Sequence, residues 1–354
     1  MSVRELIRTF ESWRLSGDPM VLATVYDTVG STYSKAGHRI LIASNADYQG
    51  LVSGGCLEGD LAERAHAVLK SNEPLAMTYD MRDEADDLWG LGIGCNGLIR
   101  VFLQPLVAVN DYEPFSEIAK RLMTSDPVVV ATVISSESEE LLSGTTLVWS
   151  CDKVEAKSLE RLVSGCRAAQ ESGQAVYETK EDGLAVLYAP LKPVPRLLVL
   201  GAGLDALPVV NMAAELGWRV TIADHRPAYL EKGKFASAER ILLIDPVKMN
   251  QELEPDDFDA IIVMSHHLLT DQTYLQQLAG TGVGYIGVLG PRARRDRLLD
   301  ALGPTGDGLR GRLRGPVGID IGAHAPESIA LSLLSEIHAI LAGASGEALT
   351  KDKV

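Results

Sequence analysis

The stretch RLLVLGAGLDALPVVNMAAELGWRVTIAD, residues 196–224, decides the fold of half of this chain. A continuous apolar run leads into Gly201, Gly203 and Ala206, spaced G-x-G-x-x-A, then a helical segment and a second apolar run ending in Asp224. Strand, glycine turn, helix, strand and terminal acid in this order mark a Rossmann-type unit. The first glycine permits the tight turn, the second lets a phosphate approach the backbone, and the helix start supplies free N–H groups. Asp224 is placed to accept hydrogen bonds from a ribose hydroxyl. Beyond it, RILLID, AIIVMSH and VGYIGVLG alternate with helical segments, the pattern of a parallel sheet covered on both faces. His266 and His267 stand at the end of AIIVMSH, on the edge where open α/β sheets bind ligands. Arg292, Arg294 and Arg295 mark a helix start suited to phosphate.

Toward the amino terminus, LKPVPR (191–196) carries two prolines that stiffen the chain and bar a helix. Before it, strands are expected at MVLATVYDTV and RILIAS, a helix over 57–71, and a strand near PLAMTYDM. PVVVATVISS, GTTLVWS, a helix at SLERLVSGCRAAQE and GLAVLYAPL continue an α+β pattern. The chain therefore reads as α/β: an α+β domain over 1–190, a linker at 191–196, a Rossmann-like parallel-sheet domain over 197–346 and a tail at 347–354.

With 354 residues, 46% hydrophobic and 23% charged, two soluble globular domains are the expectation. A net charge of −15 argues against general nucleic-acid or acidic-membrane binding, which needs a local excess of cations. The amphipathic start MSVRELIRTFESWRL lacks the apolar core and cleavage site of a secretion signal, and no apolar run is long enough to span a bilayer. Cys56, Cys95, Cys151 and Cys166 are too few for a disulfide framework and lack zinc-site spacing. A cytoplasmic protein is expected.

Two of these cysteines lie in glycine-rich turns: VSGGCLEGDL at 52–61 and GLGIGCNGLIRVFLQP at 90–105. Cys56 precedes a helix whose positive end favours the thiolate, the useful form of the side chain. Gly54, Gly55, Gly94 and Gly97 permit close backbone approach to a bulky anion. Glu58 and Asp60 fall in the first helical turn, where they suit the dipole but repel a phosphate. Cys151 and Cys166 read as small buried hydrophobes.

These loops, together with GSTYSKAGHRILI (30–42), the fingerprint extended through HRP, VMSHHLLTDQTYLQQL, YIGVLGPRARRDRL and PVGIDIGAHAPESIALSLLSEI, resemble the XdhC/CoxI family over nearly the whole chain. The resemblance implies maturation of molybdenum hydroxylases such as xanthine dehydrogenase. It implies binding of the molybdenum cofactor (molybdopterin or its dinucleotide), protection while a cysteine desulfurase installs the terminal sulfur, and delivery to the apo molybdenum hydroxylase. Cys56 and Cys95 are then the candidate metal contacts, with Gly54, Gly55 and Gly94 beside them. His38, Lys35 and Arg39 are candidates for the pterin or phosphate side of the same pocket. Gly201, Gly203, Asp224 and His266 would line a Rossmann cleft over the cofactor. The sequence departs from the family at Ser34, Lys35 and His38, at Leu204 and at Asn96. A homodimer is expected, since a pocket between subunits would shield the cargo. The competing reading is an NAD(P)-dependent oxidoreductase, although no hydride-transfer partner is visible; an interaction scaffold is a third.

Overall fold

The computed structural model describes residues 2–55, 57–82, 97–124, 127–150 and 157–350. The chain divides into two compact units, Met1–Pro193 and Val194–Val354.

In the first unit, α1 (Val3–Ser16) is capped by the Ser2 side chain and anchors through Phe10, which meets Phe115 edge-on with ring centroids 4.8 Å apart. Strands β1 (Met20–Gly30), β2 (Arg39–Ala43), β3 (Tyr48–Gln49), β4 (Leu75–Asp80) and β5 (Gly97–Leu106) form one sheet ordered β3-β2-β1-β5-β4. Helix α2 (Glu58–Ser71) covers one of its faces, Leu61, Ala65 and Val68 packing on Val21, Ala23 and Val25. After α3 (Phe115–Leu122), a second sheet forms from β6 (Val128–Ser135), β7 (Thr146–Trp149), β8 (Val176–Thr179) and β9 (Ala185–Leu191), ordered β7-β6-β9-β8. Helix α4 (Lys157–Ser172) packs on it through Leu162, Cys166 and Ala169. A further cluster joins Tyr26 and Phe102 of the first sheet to Ile134, Ala185, Leu187 and Ala189 of the second. Residues on both faces of β1 are therefore buried, which is why MVLATVY reads as a continuous apolar run.

The second unit is a parallel sheet of β10 (Arg196–Leu200), β11 (Arg219–Asp224), β12 (Arg240–Leu243), β13 (Ala260–Val263), β14 (Tyr285–Val288) and β15 (Leu313–Arg314). Its order, β12-β11-β10-β13-β14-β15, reverses direction beside β10 as a Rossmann sheet does. Helices α5 (Ala206–Glu215), α6 (Pro227–Gly233), α7 (Met249–Glu252), α8 (Leu268–Leu278), α9 (Arg292–Leu302) and α10 (Pro326–Ala342) complete it. Residues of α5 and α10 pack with Val199 and Ile262 on one face; residues of α8 and α9 pack with Leu198 and Ile261 on the other. The two-residue β15 carries too little pattern to announce itself in the sequence. No helix of the described residues is long and apolar enough to cross a membrane.

Candidate functional site

The turn before α2 is built around one carboxylate. Glu58 is fully buried, and its side chain folds back over the turn instead of facing outward from the first helical turn. Oε1 accepts from the N–H groups of Val52 at 2.6 Å and Ser53 at 2.9 Å; Oε2 accepts from Ser53 Oγ at 2.9 Å and Gly55 N at 3.0 Å. Ser53 Oγ in turn accepts from Leu57 N at 2.8 Å. Burial pushes the Glu58 carboxyl up, but the N–H groups of Ser53 and Val52 outweigh it and leave the group below its ordinary value. Gly54 and Gly55 adopt φ of +80° and +114°, a conformation other side chains rarely accept.

Neighbouring segments close on this turn. Ser34 Oγ donates to Leu51 O at 3.1 Å, and the Tyr33 ring lies 3.9 Å from where a Cβ on Gly54 would sit. At the same end of the sheet Gly30 pairs with Gly97, and Met81 N donates to Gly97 O at 2.9 Å. A Cβ on Gly97 would stand 2.5 Å from Ser31 O, so only glycine fits. Cys56, Cys95, Gly94 and Cys151 lie outside the described residues; their flanks, Gly55 and Leu57 for the first and Met81 and Gly97 for the second loop, are placed as above. Cys166 is wholly buried and its thiol is pushed up to about 12 by burial, the inert behaviour expected of it. Loss of water around the His38 imidazole lowers its pKa, opposed by a hydrogen bond with the Leu51 backbone and aided by the Arg39 charge.

In the second unit Gly201, Gly203, Asp224 and His266 do meet at the carboxyl edge of the sheet. Gly201 needs its φ of +125°, and a Cβ there would press on the Met264 carbonyl at 2.5 Å. Asp224, however, is fully buried and internally engaged. Oδ2 accepts from Ala202 N at 2.7 Å and Arg226 Nη2 at 2.8 Å, while Oδ1 accepts from Arg226 N and Nε, each at 2.9 Å. Burial would raise this carboxyl; the Arg226 side chain and the Ala202 and Arg226 N–H groups hold it below the usual aspartate value. Above the second glycine stands another acid: a Cβ on Gly203 would run into Asp205 Oδ1. Asp205 Oδ2 lies 2.7 Å from His266 Nε2. His266 itself sits in left-handed backbone (φ 62°), and the Asp205 hydrogen bond, working against desolvation, raises its pKa. A carboxylate thus occupies the space where a pyrophosphate would approach the loop.

Ser265 and Asp271 complete this edge. Asp271, buried at the start of α8, accepts from Ser265 Oγ at 2.5 Å and from Arg294 Nη2 at 2.7 Å. Arg294 therefore serves an internal pair, and Arg292 and Arg295 both pair with Asp296. Among the described residues no group of three or more His, Cys, Asp or Glu side chains is arranged to hold a metal. Sequence reasoning missed the roles of Glu58, Asp205, Arg226 and Asp271. One signal was available: an arginine two residues after Asp224 can fork back onto that carboxylate.

Comparison with known proteins agrees with this architecture. A family model described as XdhC Rossmann domain matches residues 197–337, and one described as XdhC and CoxI family matches residues 13–80. A protein of Bacillus subtilis (strain 168) that is named as a probable xanthine dehydrogenase subunit is 32% identical over 317 residues, 90% of this chain and 92% of that protein. The molybdenum cofactor insertion chaperone PaoD of Escherichia coli (strain K12) is 22% identical over 340 residues, 95% of this chain and 88% of its own. A crystal structure described as a xanthine dehydrogenase from Bacillus halodurans superposes with a TM-score of 0.78 at 29% identity, covering 97% of this chain and 96% of that one.

Proposed function

The chain belongs to the XdhC and CoxI family, and from that premise we propose that it is a maturation factor that carries the molybdenum cofactor as cargo. It holds the cofactor while a cysteine desulfurase supplies the terminal sulfur, then hands it to an apo molybdenum hydroxylase of the xanthine dehydrogenase class. The observation that carries this reading is the turn over residues 52–58. Four hydrogen bonds to one buried carboxylate fix the backbone on either side of position 56. Fixed flanks suit a residue that must meet a soft metal, because the segments on either side of it are ordered before the cargo arrives. In this reading Cys56 and Cys95 face the metal, and Gly54, Gly55 and Gly94 leave room for the dithiolene. The protein acts in the cytoplasm, and a homodimer would shield the cargo during hand-over.

The nicotinamide reading fares worse on physical grounds. The ribose-gripping acid, Asp224, has both oxygens engaged by its own loop, and Asp205 sets a negative charge over Gly203. A dinucleotide would have to break the first arrangement and displace the second. The test is purification from a host that makes the cofactor, followed by fluorescence of the oxidised pterin released with acid. Wild type should carry pterin, and Cys56→Ala and Cys95→Ala should carry less and mature less client. Wild-type pterin and client activity in both variants, or micromolar NAD(P) binding that depends on Asp224, would overturn the proposal.

A further inference from the structure

The first unit contains a cleft of about 580 Å³ that the cysteine loops do not account for. Lys35, His38, Arg39 and Lys192 line it, and no aspartate or glutamate does among the described residues. In a chain with 48 acids against 33 bases, such a wall is a local reversal of sign. The amino-terminal end of α1, at Ser2 and Val3, opens on the same space and adds its positive end. The remaining wall is apolar and aromatic, with Leu6, Phe115, Leu122, Pro190 and an outward-facing Tyr33.

Arg39 separates this cleft from an ordinary basic surface. Its Nη1 donates to Gly37 O at 3.1 Å, while Nη2 is buried and has no partner among the described residues. Burial lowers the guanidinium pKa to about 10, so it stays charged at neutral pH. A buried charge without a counter-charge is expensive to keep. An anionic ligand would supply the missing acceptor.

We propose that this cleft binds the phosphate of a heterocyclic phosphomonoester, with the anion held by Arg39, Lys35 and Lys192 and the ring laid against the exposed Tyr33 side chain. Three cations suit a dianion better than a single carboxylate, and the volume falls within the range of small-molecule sites. The proposal rests in part on the function argued above, in which the phosphate is that of the cargo pterin. A free nucleotide offers the same chemistry, and the experiment separates the two.

The probe is guanosine 5′-monophosphate, titrated calorimetrically into the full-length protein at low and high salt, with guanosine as the control. The nucleotide should bind, with affinity falling as salt rises, and guanosine should bind far more weakly. Arg39→Met should weaken nucleotide binding at least about tenfold, as expected for loss of a charge-assisted hydrogen bond. It should also unfold at or above the wild-type temperature, because the unpaired charge is gone. Lys192→Ala, an exposed position that does not endanger folding, should weaken binding several-fold. Equal binding of nucleotide and guanosine, or wild-type affinity in both variants, would overturn the proposal, as would binding lost only in Gly203→Val. Acid-released pterin identifies the occupant. A matching loss of pterin in Arg39→Met supports the cleft and assigns it to the cargo. Full pterin with lost nucleotide binding supports the cleft and assigns it to a nucleotide, counting against the pterin assignment alone.

Discussion

Replacing Glu58 by glutamine keeps the shape of the side chain and changes what it offers to the turn around it. The carboxylate accepts four hydrogen bonds, from Val52 N, Ser53 N, Ser53 Oγ and Gly55 N. A glutamine oxygen placed at Oε1 can keep the first two. Its NH2 group then faces Gly55 N–H, donor against donor, and Ser53 Oγ must reverse its proton to serve it. One bond is lost outright and the charge assistance of the others disappears, so the cost should be about 1–3 kcal/mol. Glu58→Ala leaves the buried N–H groups of Val52 and Ser53 without an acceptor and should cost about 2–5 kcal/mol, water relieving part of it. The folded-state pKa of Glu58 is depressed, so its contribution is present above the unfolded value, about 4.3, and is lost as pH falls through the folded value. The gap between wild type and Glu58→Gln should therefore shrink as pH drops below about 4.3. Urea unfolding at several pH values measures the gap, and hydrogen exchange of the Val52 and Ser53 amides reports whether the turn itself has loosened. A change under about 0.5 kcal/mol at neutral pH, with unchanged exchange at those amides, would refute the claim that this carboxylate pins the turn.

The second unit offers parallel tests. Asp224→Ala strands the Arg226 guanidinium and the Ala202 N–H, so it should destabilise by about 3–5 kcal/mol in denaturant unfolding. The Asp224 contribution should be present above the ordinary aspartate value of about 3.9 and fade as pH falls through its depressed folded value. Asp205→Asn removes the partner that raises His266. That pair's contribution is fully present below the ordinary histidine value of about 6.5 and lost as pH rises through the folded value, so the variant's penalty should be larger in mild acid than in alkali. An NMR titration of the imidazole should show its pKa lower in the variant than in wild type. In the first unit, Gly165→Ala gains helix propensity but drives a methyl into the Tyr188 ring, and it should cost a net of about 1–2 kcal/mol in chemical unfolding.

The Rossmann half was legible because its signals are local. Strands covered on both faces show as unbroken apolar runs, and a glycine whose Cβ would strike the next strand's backbone cannot be another residue. Most antiparallel strands of the first unit were visible as segments, but the short β3 and β8 were not, and neither was the division between two sheets, because pairing such as β1 with β5 joins residues far apart in sequence. The candidate sites were half legible. Gly201, Gly203, Asp224 and His266 meet where the pattern placed them, yet the pattern could not say that Asp224 turns inward. Glu58 was visible as a first-turn acid with a dipole role. Its actual work depends on three N–H groups aimed at one point by the turn, and helical periodicity does not encode that direction.

The pairing of β1 with β5 also sets a timetable. Met20 lies opposite Leu106 and Gly30 opposite Gly97, so the strand that opens the sheet waits for one that leaves the ribosome much later. Both glycine–cysteine turns, and the Tyr33–Ser34 loop against the first of them, are spelled out inside the interval that this pairing closes. At about 5–20 residues per second, synthesis from Gly30 to Leu106 takes roughly 4–15 s. For most of that interval the nascent chain carries the Cys56 thiol, joined only near its end by that of Cys95, but not the strand pair that bounds the two loops. The bounds of both loops are therefore set first by translation: β1 and β5 pair only after the last residue of β5 has been made, and a pause in that interval prolongs exposure of the Cys56 thiol to oxidants and stray metal.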